Sequence, residues 1–308
     1  MVYGVTMTTS PSSHHMLARQ LAAAIEPVAG QVYFAKECHD NYHSLGFGPS
    51  PRELNGVAAP DFTAYFTSRG SVMGQVPGQV VAATFAVFNP TIVIPAVTKG
   101  WEITDASTIC NARDNGAIAA LHRMIGKQPQ GVQRARELLL RAADQLRPEG
   151  RTLYAGLRSL PLPGDTVGDM WRLSDMLREY RGDSHTAAWI SKGLNATEIG
   201  VLSELYWGLS VKSYSRTRGW SDDDYTAAIN SLTSQGLLTS DLTLTTAGRD
   251  LREQIEIATD DQMRPALFAL GEDIHELIAL LNPWGVTIRE AKGYPMSGPH
   301  DLAEAARS

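Results

Sequence analysis

The densest run of chemically capable side chains is REYRGDSHTAAW, residues 178–189. A neutral His185 beside Asp183, with Arg181 nearby, has the makings of a general base and an anion anchor. If His185 stands in the first turn of a helix, the macrodipole lowers its pKa and keeps the imidazole neutral. The same residues also read as a helix–helix corner. Gly182 then ends one helix in the left-handed conformation, and Asp183 or Ser184 caps the next. Capping already explains Gly182 and Asp183, so the corner is the stronger reading. His185, Asp183 and Arg181 stand as catalytic candidates with no reaction assigned.

A second cluster, CHDNYH at 38–43, sets His39 and His43 four apart, the helical spacing of two metal ligands. A zinc or iron site needs a third ligand, and Glu37, His122 or His185 supplies it only if the fold brings one close. Cys38 falls on another face. Two exposed histidines at a helix end are the expectation, and no metal is assigned. Tyr33, Tyr65, Arg69 and Asn89 are polar tips within the apolar, aromatic runs of the N-terminal half, the composition of a pocket wall between helices. Glycine-rich phosphate loops, serine-nucleophile elbows and Walker lysines are absent, so the sequence names no cofactor.

These residues need elements to hold them. Leu17, Leu21, Ala24, Ile25, Val28 and Val32 recur at helical spacing across residues 14–43, with Pro27 expected to kink or restart the helix. Residues 45–61 read as a loop from their glycines and prolines, ending at Asp61 as an N-cap. The apolar run 76–101 reads as two short buried helices, with VVAATFAVF as a competing strand. Helices follow at 105–126 and 129–147. After the break SLPLPGD come a helix through MWRLSDMLREYR and another from Ser184. The tail after Gly285 reads as weakly structured. The expected organisation is a loose segment 1–12, a helical domain 13–160, a second domain 161–285 and a tail 286–308.

The chain has 308 residues, 43% hydrophobic and 19% charged, with a net charge of −6. That charge is unevenly placed: residues 1–150 hold 12 Lys+Arg against 11 Asp+Glu, and residues 151–308 hold 15 against 22. Cys38 and Cys110 make no disulfide framework, and neither a signal peptide nor a membrane-spanning run is present. A cytoplasmic protein is the expectation.

NATEIG opens a helix through a capping-box-like start, leading into VLSELYWGL. SDDDYTAAINSLTSQGLL starts at Ser221 as N-cap and stops at Gly236, LTLTT alternates as a short strand would, and AGRDLREQIE is helical again. The segment from VLSELYWGL through SQGLLTSDLTLTTAGRDLREQIE resembles the winged-helix domain of MarR-type regulators. The whole chain is similar to an actinobacterial family of like length with an all-helical N-terminal half, known chiefly by its fold assignment. IEPVAGQVYF (25–34), LREYRGDSHTAAW (177–189), RGW (218–220) and TDDQM (259–263) carry that similarity. The implied fold class is mainly α: a helical N-terminal domain and a MarR-like winged-helix domain with a short β-hairpin wing.

The chain departs from the regulator pattern where DNA would be met. SVKSYSRTRGW replaces the usual second helix, and the wing LLTSDLTLT carries no basic residue. Residues 195–265 hold six Lys+Arg against eleven Asp+Glu. Asp222, Asp223 and Asp224 suit a helix N-terminus, at about 0.3–1 kcal/mol each when exposed, yet repel phosphates in a groove. The sequence therefore favours a winged helix packed on the N-terminal half or on a partner subunit. The expected function is a ligand-binding protein or small enzyme with its pocket between the two halves, where Arg218 and Trp220 join Tyr33 as walls. The alternative is a transcription regulator with Lys212, Arg216 and Arg218 on phosphates, which predicts a symmetric homodimer.

Overall fold

The computed structural model describes residues 11–54, 56–298 and 300–301. Most of the expected loose N-terminus, and residues 302–308 of the tail, lie outside these. The described chain is mainly helical. In order it runs α1 (Ser13–Gly30), α2 (Lys36–Ser44), β1 (Arg52–Leu54), β2 (Val57–Ala59), α3 (Phe62–Gly70), α4 (Gly78–Thr84), α5 (Pro90–Ile103) and α6 (Ala106–Ile125). It continues with α7 (Val132–Ala143), α8 (Thr152–Ser159), α9 (Thr166–Ile190), α10 (Ala196–Tyr206), α11 (Asp222–Ser234), α12 (Thr246–Gln262), α13 (Arg264–Leu270) and α14 (Asp273–Glu290).

Many helix starts are set locally by a side chain that takes up an orphan backbone N–H. Asp61 accepts from Ala64 N at 3.0 Å, Asp105 from Thr108 N at 2.8 Å and Asp165 from Gly168 N at 2.9 Å. Asn195 with Glu198, and Ser221 with Asp224, form reciprocal capping boxes. Gly236 follows α11 at φ +71°, the left-handed stop that glycine adopts without steric cost.

Burial sorts the helices into two apolar clusters. The larger draws on α1 to α8, the first two-thirds of α9, Met263, α13 and α14. The smaller gathers Ala188 and Trp189 from the end of α9, α10, α11, Leu237, Leu238 and Ile255 of α12. Helices α9 and α12 therefore run through both. Because α9 is enclosed on most sides, its polar residues Arg172, Asp175, Glu179 and Asp183 are all buried and must find partners within the protein.

Several expectations are corrected. Residues 178–189 form no corner: α9 is one helix through Gly182. A helical glycine costs about 1 kcal/mol relative to alanine, which packing on both sides overrides. Inside residues 45–61 stands a hairpin, with Arg52 paired to Ala59 and Leu54 to Val57. Its Asn-Gly turn signal is masked in the sequence by the glycines and prolines around it. Helix α1 does not restart at Pro27, whereas the two helices expected in 76–101 are present as α4 and α5, with Pro90 opening the second. In place of a β-hairpin after α11 there is a single antiparallel bridge, Leu238 to Leu244. The tail is ordered beyond Gly285, where α14 runs on to Glu290 and Tyr294 is buried.

Candidate functional site

Two adjoining cavities, of about 360 Å³ and about 260 Å³, lie between the α1–α3–α9 side of the molecule and the turn that joins α10 to α11. They share Arg69, Arg178, Glu179, His185, Tyr214 and Arg218 as walls. Tyr294, Pro295, Ser297 and Gly298, from the tail, close one side of the larger cavity. Together they have the size of a small-molecule site.

The floor is an ion-pair chain. Glu179 takes Arg69 Nε on Oε1 at 3.0 Å and Arg69 NH2 on Oε2 at 2.7 Å, and Oε1 also accepts from Tyr33 OH and Arg178. Arg178 reaches on to Glu26 at 3.0 Å, whose other oxygen accepts from Tyr294 OH at 2.9 Å. Burial alone would raise the Glu179 carboxyl, but Arg69 and Arg178 together outweigh it and hold it at about 2. Burial pushes the Tyr33 phenol upward, with Glu179 adding to it. The Arg69 guanidinium lies 4.6 Å over Phe85. Tyr33, Tyr65 and Arg69 are thus all brought to one wall, with Tyr65 OH 3.1 Å from Arg69 NH1.

A second chain of ion pairs joins α1, α9 and α12. Asp260 accepts from Arg19 at 2.6 Å and from Arg181 at 2.8 Å, while Glu256 takes Arg181 at 2.5 Å and Arg252 at 2.7 Å. Each polar residue of TDDQM has such a role: Thr259 meets His185 Nδ1 at 3.1 Å, Asp261 meets His14 and His15, and Gln262 meets Arg151 at 2.6 Å.

The catalytic candidates fall apart as a unit. His185 bonds Thr259, Arg181 is held by two acids, and Asp183 turns to α8, where it accepts from Tyr154 N at 3.1 Å. The His185 imidazole is neutral, at about 3, but burial and then Arg252 cause this, since mid-helix it meets no helix-end dipole. Burial, then Glu179, raise Asp183 to about 7.

Opposite the floor stands the turn 207–220. Its shape comes from Glu204, fully buried in α10, which accepts from Lys212 N at 2.8 Å, Tyr214 N at 2.7 Å and Ser215 N at 2.6 Å. The 3₁₀ turn Ser215–Arg218 follows. Arg218 lies 4.4 Å over the Phe88 ring and 5.5 Å over Tyr214, facing the cavities. Gly219, at φ +79°, packs so closely on Ile92 that a Cβ would come within 2.5 Å of it. Trp220 donates to Val87 O at 2.9 Å and lines the smaller cavity. Asn89 is not a cavity wall; it caps α5 and donates to Gly219 O at 3.0 Å, pinning the turn.

Of the three candidate phosphate contacts, Lys212 is paired with Asp222 at 2.6 Å, Arg218 faces the cleft and Arg216 is exposed on the rim of the larger cavity. The outer face of α11, including Asp222, Asp223, Thr226 and Asn230, is open to solvent. The segment meets the N-terminal half through its turn, where Asn89 donates to Gly219 O and Trp220 to Val87 O.

The histidine pair of α2 is also corrected. His39 is buried against Tyr33 O at 3.0 Å, and His43 meets Phe47 O at 2.9 Å. Glu37 is taken by Arg123 and His122 by Asp165. One other group among the described residues could hold a cation: His14, His15 and Asp261. There Ser12 N donates to His15 Nδ1 at 2.9 Å, so Nε2 carries the proton and donates to Asp261. Arg264 binds the same Asp261 oxygen at 2.8 Å, which makes the group an ion-paired clasp on α1 rather than a ligand set.

Glu26, Arg178, Glu179, Glu204, Glu256 and Tyr294 escaped the sequence reading. A signal existed for four of them: Arg178 and Glu179 open the dense polar run at 178–189, Glu26 interrupts the apolar run IEPVAG, and Glu204 interrupts VLSELYWGL.

A helix-turn-helix family model (HTH_67) matches residues 18–295, and so takes in both walls of the cleft. The chain belongs to this helix-turn-helix family. The match covers far more than α10–α12 and takes in most of the described chain. No curated protein and no solved structure matched the chain.

Proposed function

We propose that this family member is a small-molecule-binding protein with its ligand in the cleft between the helical half and α10–α12. In this reading α10–α12 is a MarR-like winged-helix element that now forms a pocket wall and has lost duplex binding. The orientation of Arg218 carries the proposal: the one basic residue of RGW lies over Phe88 inside the cleft and not on the open face of α11. The open face of α11 carries no Lys or Arg at all, which removes the phosphate contacts on which duplex affinity depends. Binding is favoured over catalysis because His185, Arg181 and Asp183 are each engaged with separate protein partners.

The test uses N-phenyl-1-naphthylamine, a neutral apolar dye that brightens on leaving water. Gly182 lines both cavities, and a Cβ there would meet only Glu179 Oε2, at 3.7 Å. Gly182→Leu therefore extends an apolar side chain from that open position into the cleft and adds about 0.5–1 kcal/mol of helix propensity. One dye per wild-type chain, lost in Gly182→Leu at an equal or higher melting temperature, supports the proposal. Equal binding by both proteins, or none by wild type, overturns it. A labelled random duplex at low salt gives no anisotropy change up to about 100 µM on this reading, and salt-sensitive binding would restore the regulator.

A further inference from the structure

We infer that the ligand of this cleft is an oxyanion joined to a flat apolar body. This rests on the cleft being a ligand site, and it names the chemistry that site selects. Three arginines, Arg52, Arg216 and Arg218, line the larger cavity. None has a carboxylate partner among the described residues, although Arg19, Arg69, Arg178, Arg181 and Arg252 all do. The acids in the same cavity are already committed: Glu179 to Arg69 and Arg178, Glu26 to Arg178, and Asp183 to the Tyr154 amide. The cavity therefore keeps an excess of positive charge that the protein does not neutralise.

The arginines are also arranged to present that charge. Arg218 stacks at 4.4 Å over Phe88, and Arg52 lies 5.9 Å over Phe62. A guanidinium laid on a ring keeps its in-plane N–H fork free, the geometry that grips carboxylate or phosphate by two parallel bonds. Phe62, Tyr65, Phe66, Phe85 and Phe88 form a contiguous aromatic cluster, with Phe66–Phe88 and Tyr65–Phe66 packed edge to face. Phe85 and Phe88 are almost wholly covered, Phe85 by Arg69 and Phe88 by Arg218. Exposed Phe62 and half-buried Tyr65 therefore supply the open ring surface for a flat apolar body beside the cations. An uncharged ligand would leave the three cations unmatched, and a bare inorganic anion would leave the aromatic wall unused.

Two related dyes separate this inference from the cleft itself. The anionic 8-anilinonaphthalene-1-sulfonate and the neutral N-phenyl-1-naphthylamine share nearly the same ring system. Wild type should bind the sulfonate more tightly than the neutral dye. The triple variant Arg52→Met, Arg216→Met, Arg218→Met keeps apolar length and should lower the preference for the sulfonate over the neutral dye about tenfold or more, whatever it does to the affinity the two dyes share. An unchanged preference counts against the inference. Displacement of the sulfonate by inorganic pyrophosphate but not citrate assigns the oxyanion to phosphate, and the reverse result assigns it to carboxylate. Displacement by neither, or a triple variant that binds both dyes as wild type does, overturns the inference and leaves the cleft standing. Absence of neutral-dye binding to wild type instead removes the cleft as a ligand site.

Discussion

Arg69 grips Glu179 at two points on the cleft floor, Nε to Oε1 at 3.0 Å and NH2 to Oε2 at 2.7 Å, although the two residues are 110 positions apart. Tyr33 and Arg178 complete the same carboxylate, so a single acid on α9 ties Tyr33, just past the end of α1, to Arg69 of α3. The arrangement makes the floor rigid and also fragile.

Removing that acid strands Arg69 and leaves Arg178 with Glu26 alone. Glu179→Gln should cost about 3–5 kcal/mol, the range for breaking a buried ion pair from one side. Urea unfolding with an unchanged slope measures it. A loss below about 1 kcal/mol would mean that water reaches Arg69 and Arg178 and that the floor is not dry.

The second prediction concerns Glu204. Its two oxygens satisfy three backbone N–H groups of the turn that carries Tyr214 and Arg218. Glu204→Ala leaves those donors unmet, at about 1–3 kcal/mol for each that stays buried. Amide exchange should quicken at Lys212, Tyr214 and Ser215 before it does in α9. Unchanged protection at these three would show that the turn is held by Trp220 and Asn89 instead.

His185 and Asp183 give opposite pH signatures. The folded His185 sits at about 3 against 6.5 unfolded, so below about pH 6.5 the unfolded chain takes a proton that the folded chain refuses. Stability is lost as pH falls from about 6.5 towards 3, and His185→Gln should flatten that slope. Asp183 sits at about 7 against 3.8, so the folded state holds the extra proton between those values. Its stabilisation is whole below about pH 3.8 and lost as pH rises through about 7. Asp183→Asn should therefore gain on wild type steadily across that window. Denaturation midpoints for both variants, measured from pH 4 to 8 and subtracted from wild type, must show slopes of opposite sign; equal slopes would refute the assignment.

Gly219→Ala is predicted to unseat the RGW turn. The new methyl would face Ile92 Cδ1 at 2.5 Å, in a left-handed backbone that alanine tolerates poorly. A loss of about 1–3 kcal/mol should accompany a red shift of Trp220 emission as its bond to Val87 O opens. A loss of stability without the spectral shift would mean that Trp220 holds its place independently of Gly219.

Much of the element map was legible because its causes are local. Asp61, Asn195 and Ser221 each cap a helix within three residues of themselves, so the pattern that forms the element is contained in the window that is read. The same locality made LREYRGDSHTAAW misleading. Gly182 followed by Asp183 and Ser184 is a good corner signal, but burial of α9 against its neighbours outweighs a local preference of about 1 kcal/mol. The site was legible only as residue types. Tyr33, Tyr65, Arg69, Arg218 and Trp220 do line the cleft, whereas Asn89 supports it from behind and the His185–Asp183 pairing does not form.

By itself, then, the sequence determined the helical character, the caps, the acidic start of α11 and the uneven charge, all properties of neighbouring residues. Tertiary structure alone decided which charges cancel. Arg19 meets Asp260 across 241 positions and Tyr294 meets Glu26 across 268, and no periodicity encodes those meetings. A buried charge is held by whichever opposite charge the packing of distant helices brings within about 3 Å. Hence only the folded chain could distinguish arginines that brace the floor, such as Arg69 and Arg178, from Arg218, which the fold leaves facing an open cavity.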